Sequence, residues 1–470
     1  MCAILGIVSH GRNVMDDAIT LSAAQNHRGE QACGCIFADA GQVKEPFYGL
    51  GKVPEVFGER DRVEWSKLGG SVGITHCLYS TVGSGDGEQP MTRQPIKFVF
   101  NKKVGALSHN GNLIRLNELR EKAREAGYGF KSPDSDSEVI AAILSTSKCE
   151  TFLEALLEVL KKIEGKGSFS LVIMYEGKLY GIRDQNGNRP LCIIKKNGKN
   201  GDNDSYIFAS ETCVFTTLEA TRVIRLVEPG ELVVLGSNGI ERSMQWTKNV
   251  KPAFCVNEFV YFAHPASRLC GNCSVYQFRL CAGRMLAKNH PVEADVIVAV
   301  PDSGRGVADG IAQQSGIVNL QGLIKNSNAG RTFMMQRHID RAARQRMKLQ
   351  AVSDIMAGKN VRLGEDSIFR SSVSKMAVKL CREHGRARSV GVGVGSPPVR
   401  WGCHLGIDVP TQKELVATGR TIDEIRQEIN ADSLEYLTIE ELREVLNELG
   451  FNPDHFCMGC YTGEYPVSPL

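Results

Sequence analysis

The chain opens with MCAILGIVSH (residues 1–10), in which a cysteine follows the initiator methionine and begins an apolar run. The run is predicted to be a β-strand, because it is short, apolar and bounded by polar residues. This stretch alone leaves two interpretations of Cys2 open: a buried strand residue, or an N-terminal nucleophile exposed by removal of Met1. In the second case one residue supplies both nucleophile and base, because a free α-amine has a pKa of about 7.7–8.0.

Around this stretch, the first half of the chain alternates short β-type runs with glycine-rich turns and helical patterns. SVGITHCLYST (71–81) and SFSLVIMYEGKLYGIRD (168–184) are predicted strands, and DSEVIAAILSTS (136–147) is a predicted helix. Long strands that are bounded by turns and accompanied by two sets of helices favour an α+β domain in which sheets are layered with helices.

The second half changes to strand–helix–strand alternation. ADVIVAVPDSGRG (294–306) and KNVRLGEDSIF (359–369) are predicted strands with helices after them, and FCVNEFVYFAHP (254–265) is predicted to be a further strand. This order is typical of a parallel sheet with crossover helices, which is an α/β domain. The two domains are predicted to cover residues 1–235 and 254–470.

The composition is that of a globular protein with room for two cores: 470 residues, 42% apolar and 23% charged. A net charge of +3 without a long Lys/Arg block predicts neither nucleic acid nor a membrane as a partner. No basic n-region precedes the first apolar run, so no signal peptide and a cytoplasmic location are expected. Fifteen cysteines in a reducing compartment are then buried residues, nucleophiles or metal ligands rather than a disulfide framework.

Five further motifs accompany Cys2 in a fixed order, although each alone is explicable as a turn. Together they make residues 1–235 resemble the class II glutamine amidotransferases, which are N-terminal-nucleophile glutaminases. The resemblance implies an αββα layered fold and hydrolysis of glutamine through a thioester on Cys2. The motifs are NHRGEQACG (26–34), HNGN (109–112), SDSE (135–138), RDQNGNRPL (183–191) and ASETC (209–213).

The same resemblance implies roles for residues within these motifs. Cys2 would be the nucleophile, and the side chain of Asn110 with the backbone N–H of Gly111 would stabilise the oxyanion. Asp136 would bind the α-amine of glutamine. Arg28 lies close to the nucleophile in the family and is predicted to contribute to glutamine binding.

Position 78 departs from the family pattern, which has arginine where THCLYST (75–81) has Leu78. That arginine would bind the carboxylate of glutamine, and a charge-assisted contact is stronger than a neutral one. Its replacement predicts weaker glutamine binding unless Arg28 compensates. Use of ammonia as the nitrogen donor is therefore an open alternative.

Three segments of the second half predict a phosphate site: DVIVAVPDSGRGVADG (295–310), GLIKNSNAGRTFM (322–334) and NVRLGEDSIFRSSVS (360–374). A loop between a parallel strand and a helix presents N–H groups to phosphate, and adjacent carboxylates can hold ribose hydroxyls or hydrated Mg²⁺. These segments resemble the type I phosphoribosyltransferases. With the first half included, the whole chain resembles the amidophosphoribosyltransferase family.

This resemblance implies that ammonia passes through an internal channel to C1 of phosphoribosyl pyrophosphate, which yields 5-phosphoribosylamine for purine synthesis. It also implies glutamine as co-substrate, purine nucleotides as feedback inhibitors and a homo-oligomer, commonly a tetramer. Ser303, Glu365 and Asp366 are the implied Mg²⁺ site. The implied residues for binding phosphoribosyl pyrophosphate are Lys325, Arg331, Asp366, Ser367, Arg370, Ser371 and Ser372.

The phosphate loop also departs from the family pattern. Ser371 replaces a glycine and adds a Cβ where the backbone approaches phosphate, and Val373 replaces a threonine and removes a hydroxyl donor. Together with Leu78, these departures leave a second function open. The chain would then be a catalytically impaired paralogue that uses ammonia only, or a nucleotide-binding regulatory protein.

The cysteines of the second half predict a metal centre. The Cys-x-x-Cys of FCMGC (456–460) suits iron–sulfur or zinc. The resemblance implies a structural [4Fe–4S] cluster, whereas a second Cys-x-x-Cys, CGNC (270–273), leaves a four-thiolate Zn²⁺ site as the alternative. Iron content distinguishes the two. The predicted cluster ligands are Cys255, Cys403, Cys457 and Cys460.

Overall fold

The structure is a computed structural model of the chain. It describes residues 2–58, 68–79, 93–199, 202–291, 293–326, 349–407, 409 and 412–469. Among the predicted site residues, Arg331 lies outside the described residues. Within these ranges the strands form five sheets.

Strand β1 (Ala3–Ser9) is the centre of the first half and is buried on both faces. Leu5 and Ile7 pack in one apolar core, and Ile4 and Val8 pack in another. Because successive side chains of a strand point to opposite faces, a run that is apolar throughout needs cover on both sides. The opening stretch therefore forms an interior strand.

The other strands and the helices of the first half follow in chain order. The strands are β2 (Ala32–Asp39), β3 (Gln42–Val43), β4 (Phe47–Leu50), β5 (Val72–Leu78), β6 (Ile96–Phe100), β7 (Lys103–Leu113), β8 (Gly167–Tyr175), β9 (Lys178–Arg183), β10 (Cys192–Lys196), β11 (Ser205–Ala209), β12 (Thr221–Leu226), β13 (Glu231–Gly236) and β14 (Gly239–Gln245). The helices are α1 (Met15–Ala24), α2 (Val53–Phe57), α3 (Asn117–Glu125), α4 (Asp136–Thr146) and α5 (Phe152–Ile163).

These elements form four layers in the order helix, sheet, sheet, helix. One antiparallel sheet has the order β12-β10-β11-β1-β5-β2-β3, with β4 paired to β2, and the other has the order β14-β13-β9-β8-β7-β6. One apolar core fills the space between the sheets, and two more lie beneath the outer helices. The αββα fold predicted from the sequence is confirmed.

The second half contains a parallel sheet covered on both faces by helices. Its order is β16-β19-β20-β21, and separate apolar cores lie on its two sides. The predicted α/β class is confirmed. The strands are β15 (Phe254–Cys255), β16 (Val296–Ala299), β17 (Leu323–Lys325), β18 (Leu349–Ala351), β19 (Asn360–Glu365), β20 (Ser389–Val394), β21 (Ser433–Tyr436) and β22 (Phe456–Cys457), and the helices are α6 (Val275–Asn289), α7 (Arg305–Ser315), α8 (Ser353–Met356), α9 (Ser371–Glu383), α10 (Ile422–Ile429), α11 (Ile439–Glu448) and α12 (Gly459–Thr462).

The predicted strand over residues 254–265 is wrong beyond Cys255, where the chain turns into a π-helix at Glu258–Phe262. The buried apolar residues there are Val256, Phe259, Val260 and Ala263. They are spaced three and four residues apart, which is the period of a helix and not that of a strand.

The predicted domain limits at residues 235 and 254 stay predictions. Strand β14 pairs with β13, so the antiparallel sheet extends past residue 235. In the part of the chain that the structure describes, every helix is too short or too polar to cross a membrane.

Candidate functional site

Cys2 lies where the two sheets of the first half meet. It immediately precedes β1, and its side chain is buried, with the residue 8% exposed. Its backbone N donates to Oδ1 of Asn110 at 3.0 Å, and its Sγ lies 3.9 Å from the carbonyl oxygen of Tyr79. Asn110 belongs to β7 of the other sheet. The structure therefore brings the predicted nucleophile and the predicted oxyanion donor together.

The side-chain amide of Asn110 has two polar atoms, of which only the oxygen has a hydrogen-bond partner among the described residues. Its Oδ1 accepts from Cys2, whereas its buried Nδ2 makes no hydrogen bond among the described residues. A buried donor without a partner costs free energy, so this amide nitrogen is free to bind an acceptor on a ligand. An oxyanion that forms on a substrate bound at Cys2 would satisfy this donor.

Gly111 follows in the same strand, where no larger residue fits. A Cβ at this position would lie 2.1 Å from the carbonyl oxygen of Ser168 and 2.8 Å from Nε2 of His109. The strand therefore comes close to its neighbours only because position 111 is glycine.

We expect Gly111→Ala to lower glutamine-dependent kcat/KM by about 100-fold or more, because the displaced backbone would misplace the oxyanion donors. Gly129→Ala is the matched control, since a Cβ there meets nothing within 4 Å. Steady-state kinetics with glutamine and with ammonia would measure both variants. A Gly111→Ala enzyme that keeps full activity with glutamine would contradict the assignment.

Asp136 is the first residue of α4 and faces this site. Its carboxylate accepts from the backbone N of Leu113 at 2.9 Å and of Ser137 at 2.6 Å, and one oxygen lies 3.6 Å from Nδ1 of His109. Burial by itself would raise the pKa of Asp136, but His109 and the hydrogen bonds lower it below its usual value. Burial would likewise lower the pKa of His109, but Asp136 raises it. The carboxylate therefore stays charged, as the binding of an ammonium group requires.

Arg28 lies beside the nucleophile, but its N–H groups have protein partners. Its Nε donates to the carbonyl oxygen of Cys2 at 3.1 Å. The guanidinium group is wholly buried, pairs with Glu211 and Glu258, and lies 4.7 Å from the ring centre of Phe262. In this conformation Arg28 holds the main chain of Cys2, and its predicted contribution to glutamine binding stays a prediction.

In the second half, Ser303 and Asp366 meet at the carboxyl ends of the neighbouring strands β16 and β19. The Ser303 hydroxyl is hydrogen-bonded to the Asp366 carboxylate, as is the hydroxyl of Ser367. Gly304 permits this approach, because a Cβ there would lie 2.5 Å from the carbonyl oxygen of Gly364. Glu365 is buried and accepts from Ser374. Burial and the neighbouring Asp366 raise the pKa of Glu365 to about 8.

The predicted phosphate loop lies at the start of α9. Arg370 pairs with Glu414 at 3.0 Å, and the hydroxyl of Ser371 donates to Glu428. Ser372 is exposed, as is Val373. Lys325, at the end of β17, approaches the carboxyl end of β16. Its Nζ lies 2.6 Å from Oδ2 of Asp302, which follows that strand. The described residues of this predicted site therefore surround one edge of the parallel sheet.

The four predicted cluster cysteines come together from three segments. Cys255 of β15 lies opposite Cys457 of β22 in a parallel pair, and Cys403 is hydrogen-bonded to Cys460. The four thiols also interact electrostatically with one another. Cys270 interacts instead with Cys273 and Arg183. Among the described residues, no three His, Cys, Asp or Glu side chains are arranged to hold a metal ion.

Comparison with known proteins identifies the family. Residues 76–217 match the family described as glutamine amidotransferase domain. An amidophosphoribosyltransferase of Bacillus subtilis is 37% identical over 471 residues, which cover 99% of this chain and 94% of that protein. The chain belongs to the amidophosphoribosyltransferase family. An amidophosphoribosyltransferase of Methanocaldococcus jannaschii is 36% identical, over 99% of this chain and 98% of that protein.

A solved structure of the amidophosphoribosyltransferase family has the same fold over the whole chain. It is the glutamine phosphoribosylpyrophosphate amidotransferase of Bacillus subtilis in complex with ADP and GMP. The TM-score is 0.87 at 35% identity, and the match covers 100% of this chain and 98% of the other. Both halves of the chain therefore have the architecture of an amidophosphoribosyltransferase.

Sequence reasoning missed residues that support the amidotransferase site. Gln94 accepts from the backbone N of His109 at 2.7 Å and donates to Ser137 at 3.2 Å, so it braces the strand and the helix of the site. Nothing in its local sequence indicated this. Glu258 could have been found from the sequence, because it is a single acidic residue within an apolar run. Such a residue needs a charged or polar partner when it is buried.

Proposed function

We propose that this member of the amidophosphoribosyltransferase family hydrolyses glutamine at Cys2 and transfers the ammonia to C1 of phosphoribosyl pyrophosphate. The products would be glutamate, pyrophosphate and 5-phosphoribosylamine. Residues 1–235 would carry the first reaction and residues 254–470 the second. The observation that carries the proposal is the hydrogen bond from Cys2 to Asn110, whose Nδ2 has no partner among the described residues.

In the glutaminase reaction, the α-amine of Cys2, free after removal of Met1, would take the thiol proton. The thiolate would attack the side-chain amide carbon, and the oxyanion would accept from Nδ2 of Asn110 and the N–H of Gly111. Return of the proton to the leaving nitrogen would release ammonia and leave a thioester, which water hydrolyses. Asp136 would hold the ammonium group of glutamine by charge attraction.

In the transferase reaction, Asp366 and Ser367 would hold the sugar phosphate at the end of β19. The first N–H groups of α9, around Ser371 and Ser372, would donate to the oxygens of the 5′-phosphate. Arg370, Lys325 and Arg331 would neutralise phosphate charge and exclude water. Ammonia would then attack C1 as pyrophosphate leaves.

The hydroxyl of Ser303 and the carboxyl groups of Glu365 and Asp366 would supply oxygen donors, which are the ligands that Mg²⁺ prefers. We infer that these residues hold Mg²⁺ together with the substrate's phosphates. When bound, the ion would neutralise charge on the leaving pyrophosphate. The two adjacent carboxylates would orient the ribose ring in the same site.

The described contacts support the [4Fe–4S] cluster over the zinc alternative. Such a cluster takes four cysteine thiolates. Cys457 and Cys460 interact with Cys255 and Cys403, whereas Cys270, which belongs to the zinc alternative, interacts with Cys273. We propose a structural cluster that ties residues 456–460 to Cys255 and Cys403.

Purified protein is expected to contain about four irons and four labile sulfides per chain. Cys403→Ser should lower the iron content severalfold, because it removes a proposed ligand. Cys273→Ser is the matched control and should leave iron unchanged, since it belongs only to the zinc alternative. Elemental analysis and visible absorption measure the outcome. One zinc per chain, lost in Cys273→Ser, would contradict the cluster.

Leu78→Arg is expected to lower the KM for glutamine by about tenfold, because a charged contact to the carboxylate would replace a neutral surface. Leu78 ends β5, the strand beside the nucleophile. Kinetics with ammonia should change much less. Val99→Arg adds the same charge at an exposed position of the same half and is the control. Equal changes with both nitrogen donors would contradict the role of position 78.

We also propose purine nucleotides as inhibitors and a homo-oligomeric assembly. The related Bacillus subtilis structure contains ADP and GMP, which supports the first of these proposals. Equilibrium dialysis with labelled GMP and sedimentation of the purified chain would test the two.

Pyrophosphate release with glutamine or with ammonium as nitrogen donor tests the proposed function. Turnover with both donors is the expected result. Turnover with ammonium only would favour the impaired enzyme, for which Leu78 and the engaged guanidinium of Arg28 give a reason. No turnover with either donor, with retained nucleotide binding, would identify a regulatory paralogue.

A further inference from the structure

We propose that Glu258 of the second half is a positioning residue for the Cys2 nucleophile and acts through Arg28. This inference rests on the proposed hydrolysis of glutamine at Cys2. Glu258 would thereby connect the second half of the chain to the glutaminase site in the first.

Glu258 forms a bidentate ion pair with the guanidinium group of Arg28. Its Oε2 accepts from Nη1 at 2.9 Å, and its Oε1 accepts from Nη2 at 2.8 Å. The third nitrogen of Arg28, Nε, donates to the carbonyl oxygen of Cys2. A two-bond carboxylate contact fixes the plane of a guanidinium group, so Glu258 determines where Nε points.

The ion pair belongs to a buried network of two arginines and two glutamates. Glu211 also binds Arg28, and Arg189 donates to Oε1 of Glu258 at 3.2 Å. The four side chains are at most 2% exposed and their charges sum to zero. Loss of one carboxylate would leave excess positive charge in the interior, and the neighbouring groups would have to shift.

Glu211 is itself held by the second half. Ser267 donates to it through its hydroxyl at 2.6 Å, and His264 donates through its backbone N at 2.9 Å. Both carboxylates that hold Arg28 are thus supplied or fixed by residues 258–267. The position of Arg28, which lies in the first half, is set by the second.

These contacts hold the backbone of Cys2 at both its N and its carbonyl oxygen. Asn110 accepts from its N, and Arg28 donates to its carbonyl oxygen, so the direction of Sγ depends on both. Displacement of a reacting atom by about 1 Å can cost about 100-fold in rate. A change at Glu258 should therefore affect the glutaminase reaction selectively, because ammonia bypasses Cys2.

The test is Glu258→Gln in the full chain, measured as kcat/KM with glutamine and with ammonium. Glu231→Gln is the matched control, because Glu231 is also a buried carboxylate with two bonds to one arginine, Arg225 at 2.8 and 2.6 Å. Labelling of Cys2 by a diazoketone analogue of glutamine provides a second readout. It reports the nucleophile without the transferase reaction.

We expect Glu258→Gln to lower the ratio of glutamine to ammonium activity by about tenfold or more and to slow Cys2 labelling equally. The control should leave the ratio unchanged. An equal fall with both donors, or the same ratio change in the control, would overturn the inference.

Two further results keep the test decisive. If Glu258→Gln does not fold, Glu258→Asp keeps the charge, and a smaller but still selective fall is expected, whereas a non-selective fall overturns the inference. Wild-type protein that neither uses glutamine nor labels at Cys2 would refute the proposed function before any variant is compared. The two failures are therefore distinguishable.

Discussion

Cys2→Ala is expected to lower glutamine-dependent pyrophosphate release by about 1,000-fold or more and to leave the ammonium-dependent reaction nearly unchanged. The variant keeps the α-amine, the hydrogen bond to Asn110 and the contact with Arg28, but it lacks the sulfur that forms the thioester. Free ammonia reaches the phosphoribosyl site without this step. The expected effect is therefore a separation of the two activities rather than a general loss.

Pyrophosphate release with saturating glutamine or ammonium measures this separation. Cys192→Ala is the matched control, because Cys192 is also a buried thiol in the same sheet, and its Sγ donates to the carbonyl oxygen of Ala209. It tests whether loss of any buried thiol in this sheet has the same effect. Glutamine-dependent turnover that survives in Cys2→Ala would refute Cys2 as the nucleophile.

Asp366→Asn is expected to lower pyrophosphate release by about 100-fold or more with either nitrogen donor. Asp366 is buried at the end of β19, where hydroxyl groups of Ser303 and Ser367 surround its carboxylate. An amide cannot balance the charge of Mg²⁺ or accept from a ribose hydroxyl as a carboxylate does. Hydrolysis of glutamine at Cys2 uses none of these atoms.

The readouts for this variant are pyrophosphate release and formation of glutamate from glutamine. Glutamate formation should persist, although without coupling to the transferase. Asp423→Asn is the control, since Asp423 is 62% exposed and pairs with Arg426 on its own helix. A variant that loses ammonium-dependent turnover by less than about twofold would contradict the assignment of Asp366.

Much of the fold follows from short-range patterns. The run that begins at Cys2 is apolar at successive positions and becomes a strand covered on both faces. The segment DSEVIAAILSTS becomes a helix that begins at Asp136, capped by the hydroxyl of Ser135. The prediction failed at residues 256–263, where the apolar spacing has a helical period and not the period of a strand.

The candidate site was predictable where residue type and spacing specify chemistry. Cys2, Asn110 and Asp136 were identified by their motifs. The fold brings Cys2 to Asn110, and it places Asp136 beside His109, which lies in the same strand as Asn110. Gln94 was not identified, because its bonds to His109 and Ser137 reach across the sheet and leave no local pattern.

The sequence by itself determined the layered class of each half and the residue types of the nucleophile, because these depend on side-chain period and on chemistry within a few residues. Only the tertiary structure decided that Arg28 pairs with Glu258, which lies 230 residues away, and that Cys403 meets Cys460. A buried charge must find an opposite charge, and this much the sequence implies. Which charge it finds depends on how the two halves pack, since no pattern along the chain records distances across an interface.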